Sequence, residues 1–159
     1  MDGAAANGHL RVLRWLLENE SEGCTTEAMD LAARNGHFDI LKWFHKRGLG
    51  CTVKAVDGAA SGGHFEVVKW LHDNRSEGCT TAAMDGAASS EVLHVVKWLS
   101  KHRSEGCTST AIYKADFHGH LEVIKCLHEN HSEEFPTFAM ENAVLSLSFE
   151  IVLFLHRAR

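Results

Sequence analysis

Apolar residues fall into two alternating helical patterns along this chain. Thr26 to Asn35 carries Met29, Ala32 and Ala33 at spacings of three and four, a narrow stripe on a segment of small residues. Phe38 to Lys46 follows with Ile40, Leu41, Trp43 and Phe44, a bulkier stripe of the same period. Thr25 or Thr26 is placed to cap the first helix by accepting from its free amides, and Gly36 to end it with a left-handed residue. No run alternates with period two for long enough to predict a strand.

The two patterns recur together. Trp15, Trp43, Trp70 and Trp98 are spaced 28, 27 and 28 apart, and Cys126 and Phe154 continue the series. Six residues before each of these rungs stand His9, His37, His64, Val92, His120 and Ser148. Thirteen before stand Asp2, Asp30, Asp57, Asp85, Tyr113 and Glu141. Six units therefore fill one domain, residues 1–159, with approximate bounds 1–23, 24–50, 51–78, 79–106, 107–134 and 135–159. A pair of short helices cannot bury its own apolar face, so each pair must stack on its neighbours. The predicted fold is an all-α solenoid of six stacked helix-turn-helix units.

The run Ala32-Ala33-Arg34-Asn35-Gly36-His37-Phe38-Asp39-Ile40-Leu41-Lys42-Trp43-Phe44 resembles the centre of an ankyrin repeat. Ala5 to Leu16 and Ala59 to Leu71 show the same pattern, and Gly119 to Lys125 shows it in part. The units are about 28 residues long where ankyrin repeats have ~33, and Glu27-Ala28-Met29-Asp30 stands where ankyrins read T-P-L-H. Most of the β-turn finger is thus missing. The resemblance implies a protein-binding scaffold whose contacts shift onto the first helices, with the turn histidines as hydrogen-bonding supports of the inter-helix turn.

Composition adds limits. With 45% hydrophobic residues the 159-residue chain can build a core, which excludes disorder. The net charge of −5 lacks the positive field of a nucleic-acid binder. The stretch from Ala143 to His156 is interrupted by Ser146, Ser148 and Glu150, so no transmembrane helix is expected, and the first residues do not resemble a signal. The expected setting is intracellular, cytoplasmic or nuclear. Five cysteines, four in a ladder of Cys24, Cys51, Cys79 and Cys107, are too far apart from copy to copy for disulfides or tetrahedral zinc, and read as buried thiols. The histidine ladders fail as metal sites on the same spacing. The tryptophan ladder reads as packing between second helices. Periodic residues form scaffold, and no single copy holds a unique nucleophile, base and orienting group, so no enzyme, cofactor or metal is expected.

Positions that vary between copies mark the candidate binding surface. The two residues before each Gly-His turn differ, as do those seven earlier in the first helix, and these spacings share one helix stripe. The candidate contacts are Glu27, Arg34, Asn35, Lys54, Ser61, Ser89, Tyr113, Lys114, Phe117, His118 and Phe138. In the fifth copy Tyr113, Phe117 and, one copy on, Phe138 suggest an aromatic patch flanked by the charges of Lys114 and Asp116. Ser90-Glu91-Val92 replaces the Asn-Gly-His turn of the fourth copy, predicting a bend or a loosened turn. Neither end carries a polar capping unit, so a segment of a longer protein, or self-association through the apolar last copy, is expected. The leading function is a protein-interaction module for a protein partner. Nucleic-acid binding through the tryptophans with Lys and Arg is the rival from another class, and a self-associating structural solenoid is a further alternative.

Overall fold

A computed structural model describes residues 1–19, 23–130, 137–145 and 148–157, with backbone alone at 137–138. The described residues form twelve α-helices and no strand. They run in pairs: α1 (Asp2–Ala6) with α2 (Leu10–Asn19), α3 (Thr26–Arg34) with α4 (Phe38–Lys46), and α5 (Val53–Ser61) with α6 (Phe65–Asn74). Then come α7 (Thr81–Ser89) with α8 (Leu93–His102), α9 (Ser109–Phe117) with α10 (Leu121–Asn130), and α11 (Thr137–Leu145) with α12 (Phe149–Arg157). The first helices α1, α3, α5, α7, α9 and α11 pack side by side in chain order, and each second helix folds back on its own first helix. This is the all-α solenoid that the repeat demands.

The alanine pairs explain the close row of first helices. Ala32 and Ala33, Ala59 and Ala60, and Ala87 and Ala88 are fully buried, so the helix axes approach without bulk between them. Most of the large buried apolar side chains come from the second helices, including Leu13, Leu41, Phe44, Leu71, Leu99 and Leu127, while Met29 and Met84 come from α3 and α7.

Helix starts are joined to the preceding copy by one repeated device. Thr25, Thr52, Thr80 and Thr108 cap α3, α5, α7 and α9, each hydroxyl accepting from the amide two residues on at 3.1–3.2 Å. The same hydroxyls donate at 2.6–2.9 Å to Asp2, Asp30, Asp57 and Asp85 of the copy before. The backbone amides of Thr52, Thr80 and Thr108 donate to the second carboxylate oxygen at 2.8 Å. One carboxylate thus ties two copies through two bonds, each charge-assisted. In the fifth copy Tyr113 holds the aspartate position, and this tie cannot form there.

The turns between paired helices are also secured from copy to copy. Gly8, Gly36, Gly63 and Gly119 adopt positive φ. His37 lies against Gly8, where a Cβ would stand 2.8 Å from its ring, and its Nε2 is 2.9 Å from the Ala6 carbonyl. His120 Nε2 reaches the Ser89 carbonyl at 3.3 Å. The turn histidines therefore support the preceding copy as well as their own turn.

The fourth turn is not loosened. Val92 N donates to Ala87 O at 2.9 Å, matching His37 to Ala32 at 2.8 Å and His64 to Ala59 at 2.9 Å. Glu91 preserves the shape by adopting φ 59, the one described non-glycine residue at positive φ. Left-handed backbone costs an L-residue about 1–2 kcal/mol. Glu91→Gly should therefore stabilise the chain by about 1 kcal/mol after the extra freedom of the unfolded glycine is subtracted. The carboxylate lies 3.5 Å from His120 Nδ1 but is exposed, so losing it costs little. A urea midpoint that stays put or falls on Glu91→Gly would contradict this reading.

Candidate functional site

The first helices present the chain's varied positions. Between α3, α5 and α7 lies a groove of about 740 Å³, whose lining includes Glu27, Leu31, Arg34, Lys54, Ser61 and Ala82. Four of the expected contact residues, Glu27, Arg34, Lys54 and Ser61, meet there, and all four are exposed. Asp30 and Asp57 also reach this groove, but their oxygens are engaged by Thr52 and Thr80. The groups left for a partner are one acid and two bases on a floor of small residues.

Further along the row, α9 carries an aromatic cluster. Tyr113 and Phe117 stack with centroids 6.3 Å apart and planes at 19°. Phe117 meets His118 edge-on at 5.3 Å, and His118 stacks on His120 at 5.6 Å. Phe117 is 59% exposed, unusual for a phenylalanine in a folded domain. Lys114 is exposed on the same helix. Leu145 occupies the Phe117 position one copy later and is also exposed, extending the apolar surface. The sequence marked that position as varied, and its register with Phe117 was the available signal.

Other expected residues have different surroundings. Asn35 donates from Nδ2 to the Ala6 carbonyl at 2.7 Å, so its side chain already bridges two copies. Ser89 is half-buried between the groove and the cluster. The side chain of Phe138 lies outside the described residues. Asp116 does not flank the aromatic patch. It is fully buried, and neither carboxylate oxygen has a hydrogen-bond partner. Burial pushes its carboxyl from 3.8 up to about 6.

The tryptophans interlock with a second histidine ladder, His45, His72, His128 and His156, near the ends of the second helices. Trp70 stands edge-on to Phe38 and His45 of the copy before, at 6.0 and 5.0 Å. Trp98 stands the same way to Phe65 and His72, at 6.3 and 5.0 Å. Trp43, Trp70 and Trp98 are half-buried by packing. The five cysteines are thiols, none in a disulfide. Burial pushes Cys51 up to about 11 and raises Cys79 and Cys126, which keeps them protonated and unreactive at neutral pH. Among the described residues no helix is long and apolar enough to cross a membrane.

Residues 1–45 match the family model for ankyrin repeats (many copies). The crystal structure of the human ASB11 ankyrin repeat domain superimposes with a TM-score of 0.65 over 81% of this chain and 67% of that one, at 19% identity. The fold is an ankyrin-repeat solenoid. No curated protein matches the sequence. Ankyrin repeats are in general protein–protein interaction modules, and the fold is typically a non-catalytic one. In this ankyrin solenoid the paired helices are kept, and the Gly-His turn is kept in four copies. The cross-copy Asp-Thr tie stands in the region where the finger is shortened.

Proposed function

We propose that this chain is a non-catalytic protein-binding module that holds its partner on the first-helix face, across the groove of α3, α5 and α7 and the aromatic cluster of α9. The observation that carries this reading is convergence: Glu27, Arg34, Lys54 and Ser61 vary between copies yet line one groove. A scaffold already fixed by copy-to-copy hydrogen bonds loses little freedom when a partner docks. The stacked Tyr113 and Phe117 supply rigid aromatic contact area, the composition that dominates interface energetics. The packing of half-buried Trp70 and Trp98 against phenylalanine and histidine edges supports this reading over nucleic-acid stacking, which needs free ring faces.

The test is affinity capture from cell extract with the intact chain, an Arg34→Ala/Lys54→Ala variant and a Tyr113→Ala/Phe117→Ala variant, followed by titration of any captured protein. The aromatic variant should weaken binding by about tenfold or more, with helicity unchanged. Equal affinity for all three would reject the proposed surface.

A further inference from the structure

We propose that the boundary between α9 and α11 is a pH-sensitive hinge, closed in mild acid and opening toward neutral pH, and that its opening splits the apolar surface of Phe117 and Leu145. The inner copies show which stripe of a first helix meets the following copy. Asp30, Asp57 and Asp85 bond to Thr52, Thr80 and Thr108 of the next copy. Four residues after Asp30 and Asp57, Arg34 and Ser61 meet Gly58 and Gly86 of the next copy. In the fifth copy these positions are Tyr113 and Phe117, three before and one after Asp116. Residues three apart on a helix share a face, so Asp116 looks into the α9/α11 boundary.

This boundary differs from the earlier ones. Tyr113 stands where they have the tying aspartate, and Pro136, with neither hydroxyl nor amide hydrogen, holds the sequence position of Thr108. Asp116 is fully buried with both oxygens unbonded, where the inner copies have Ala33, Ala60 and Ala88. On α11, Asn142 takes the place of Gly58 and Gly86, and its buried Nδ2 also lacks a partner. Opening the boundary gives both side chains to water, which removes the penalty of leaving them unbonded.

The charge of Asp116 sets the balance. α9 packs chiefly on α7, α10 and α11. The titratable and charged groups there are Asp85 on α7, Glu122, Lys125, Cys126, His128 and Glu129 on α10, and Glu141 on α11. Tyr113 and Lys114 lie on α9 itself, with His118 and His120 in its turn. Among the described residues none of these charges moves the Asp116 carboxyl, which burial alone raises to about 6. Closed, the boundary keeps this acid protonated up to about pH 6; open and hydrated, the acid ionises from about 3.8. Closure is therefore strongest below that window, weakens as pH rises through it, and is weakest above about pH 6. Phe117 and Leu145 hold the same position on either side of the boundary, and both are exposed, as Arg34 and Ser61 are at that position in inner copies. A partner that spans the two side chains needs the boundary closed. This consequence rests on the reading of the α9 cluster as a docking surface, whereas the hinge does not.

Hydrogen exchange of the free chain at about pH 5 and about pH 7.5, corrected for the intrinsic pH dependence of amide exchange, reads the opening directly. Protection of α11 and α12 should fall about tenfold more than that of α5 to α8 between the two conditions, the ratio that follows from an acid titrating at about 6 closed and 3.8 open. Asp116→Ala and Asp116→Asn should abolish this excess, although the histidines of both variants titrate as in the wild type. A wild type in which α11 and α12 lose no more protection than α5 to α8 would overturn the hinge. So would the same excess in both variants. The measurement needs no partner, so failure of the docking surface in the Tyr113→Ala/Phe117→Ala capture leaves the hinge intact, and failure of the hinge leaves that surface standing.

Discussion

Asp116→Ala should stabilise the chain by about 3 kcal/mol near neutral pH, and by much less near pH 4. The carboxylate is fully buried without a hydrogen-bond partner, at a position where Ala33, Ala60 and Ala88 are fully buried in other copies. Its carboxyl titrates at about 6 in the folded chain, against 3.8 when unperturbed. Between those two values the folded protein keeps a proton that the unfolded chain has released. Stability therefore falls as pH rises through this window, and the full penalty persists above about pH 6. Alanine removes the pH slope and adds helix propensity. The neutral gain corresponds to an increase of roughly 5–12 °C in Tm for a chain of this size. Asp116→Asn should remove the same slope but recover less stability, since a buried amide also lacks partners. Thermal melts at several pH values check both variants. An alanine variant less stable than wild type at neutral pH would contradict the assignment.

Gly86→Leu should cost about 3 kcal/mol or more and distort the groove, because α5 and α7 touch almost backbone to backbone there. A Cβ on Gly86 would stand 2.7 Å from Ser61 Cβ and 3.3 Å from its Cα. Gly58 is similarly placed, 2.8 Å from Arg34 Cβ and 3.3 Å from its Cα. Neither neighbour can rotate away, since the clash falls at the root of the side chain. Leu31 and Lys114 occupy the glycine position in the second and fifth copies, and packing is less extensive at α1/α3 and α7/α9 than at α3/α5 and α5/α7. Gly86→Ala should be milder, about 1 kcal/mol, since better helix propensity offsets part of the overlap. Adding Ser61→Gly to Gly86→Ala should recover part of that loss in urea unfolding. A stable Gly86→Leu chain with unchanged partner affinity would show that the close approach is dispensable.

Much of this architecture was legible because the chain states it repeatedly. The tryptophan interval and the alternation of small and bulky helical stripes are sufficient to predict stacked helix pairs. What one unit cannot show is a bond to the next. The aspartate row was visible as a period and the threonines as caps, but Asp30 to Thr52 spans 22 residues and joins two units. Asn35 varies between copies and so reads as a contact residue, yet it donates to Ala6 O, a carbonyl that any residue supplies. Asp116 reads as a surface charge by residue type. Its helix position faces the following copy, and that geometry overrides polarity. Glu91 reads as a broken turn because it is not glycine. The flanking backbone bonds hold the turn and force the residue into left-handed geometry.

The substitution of Tyr113 for the tying aspartate gives the solenoid a direction of failure. Through Asp85 and Thr108 each boundary carries a bidentate polar latch or, at the first, a single hydroxyl bond, whereas at the boundary beyond Tyr113 no carboxylate stands at the latch position and Asp116 must also be buried. In a quasi-linear stack, where cohesion passes only from neighbour to neighbour, the weakest boundary sets where melting begins. Under denaturant α11 and α12 detach first, and the earlier helices, with the groove they enclose, remain as one cooperative block.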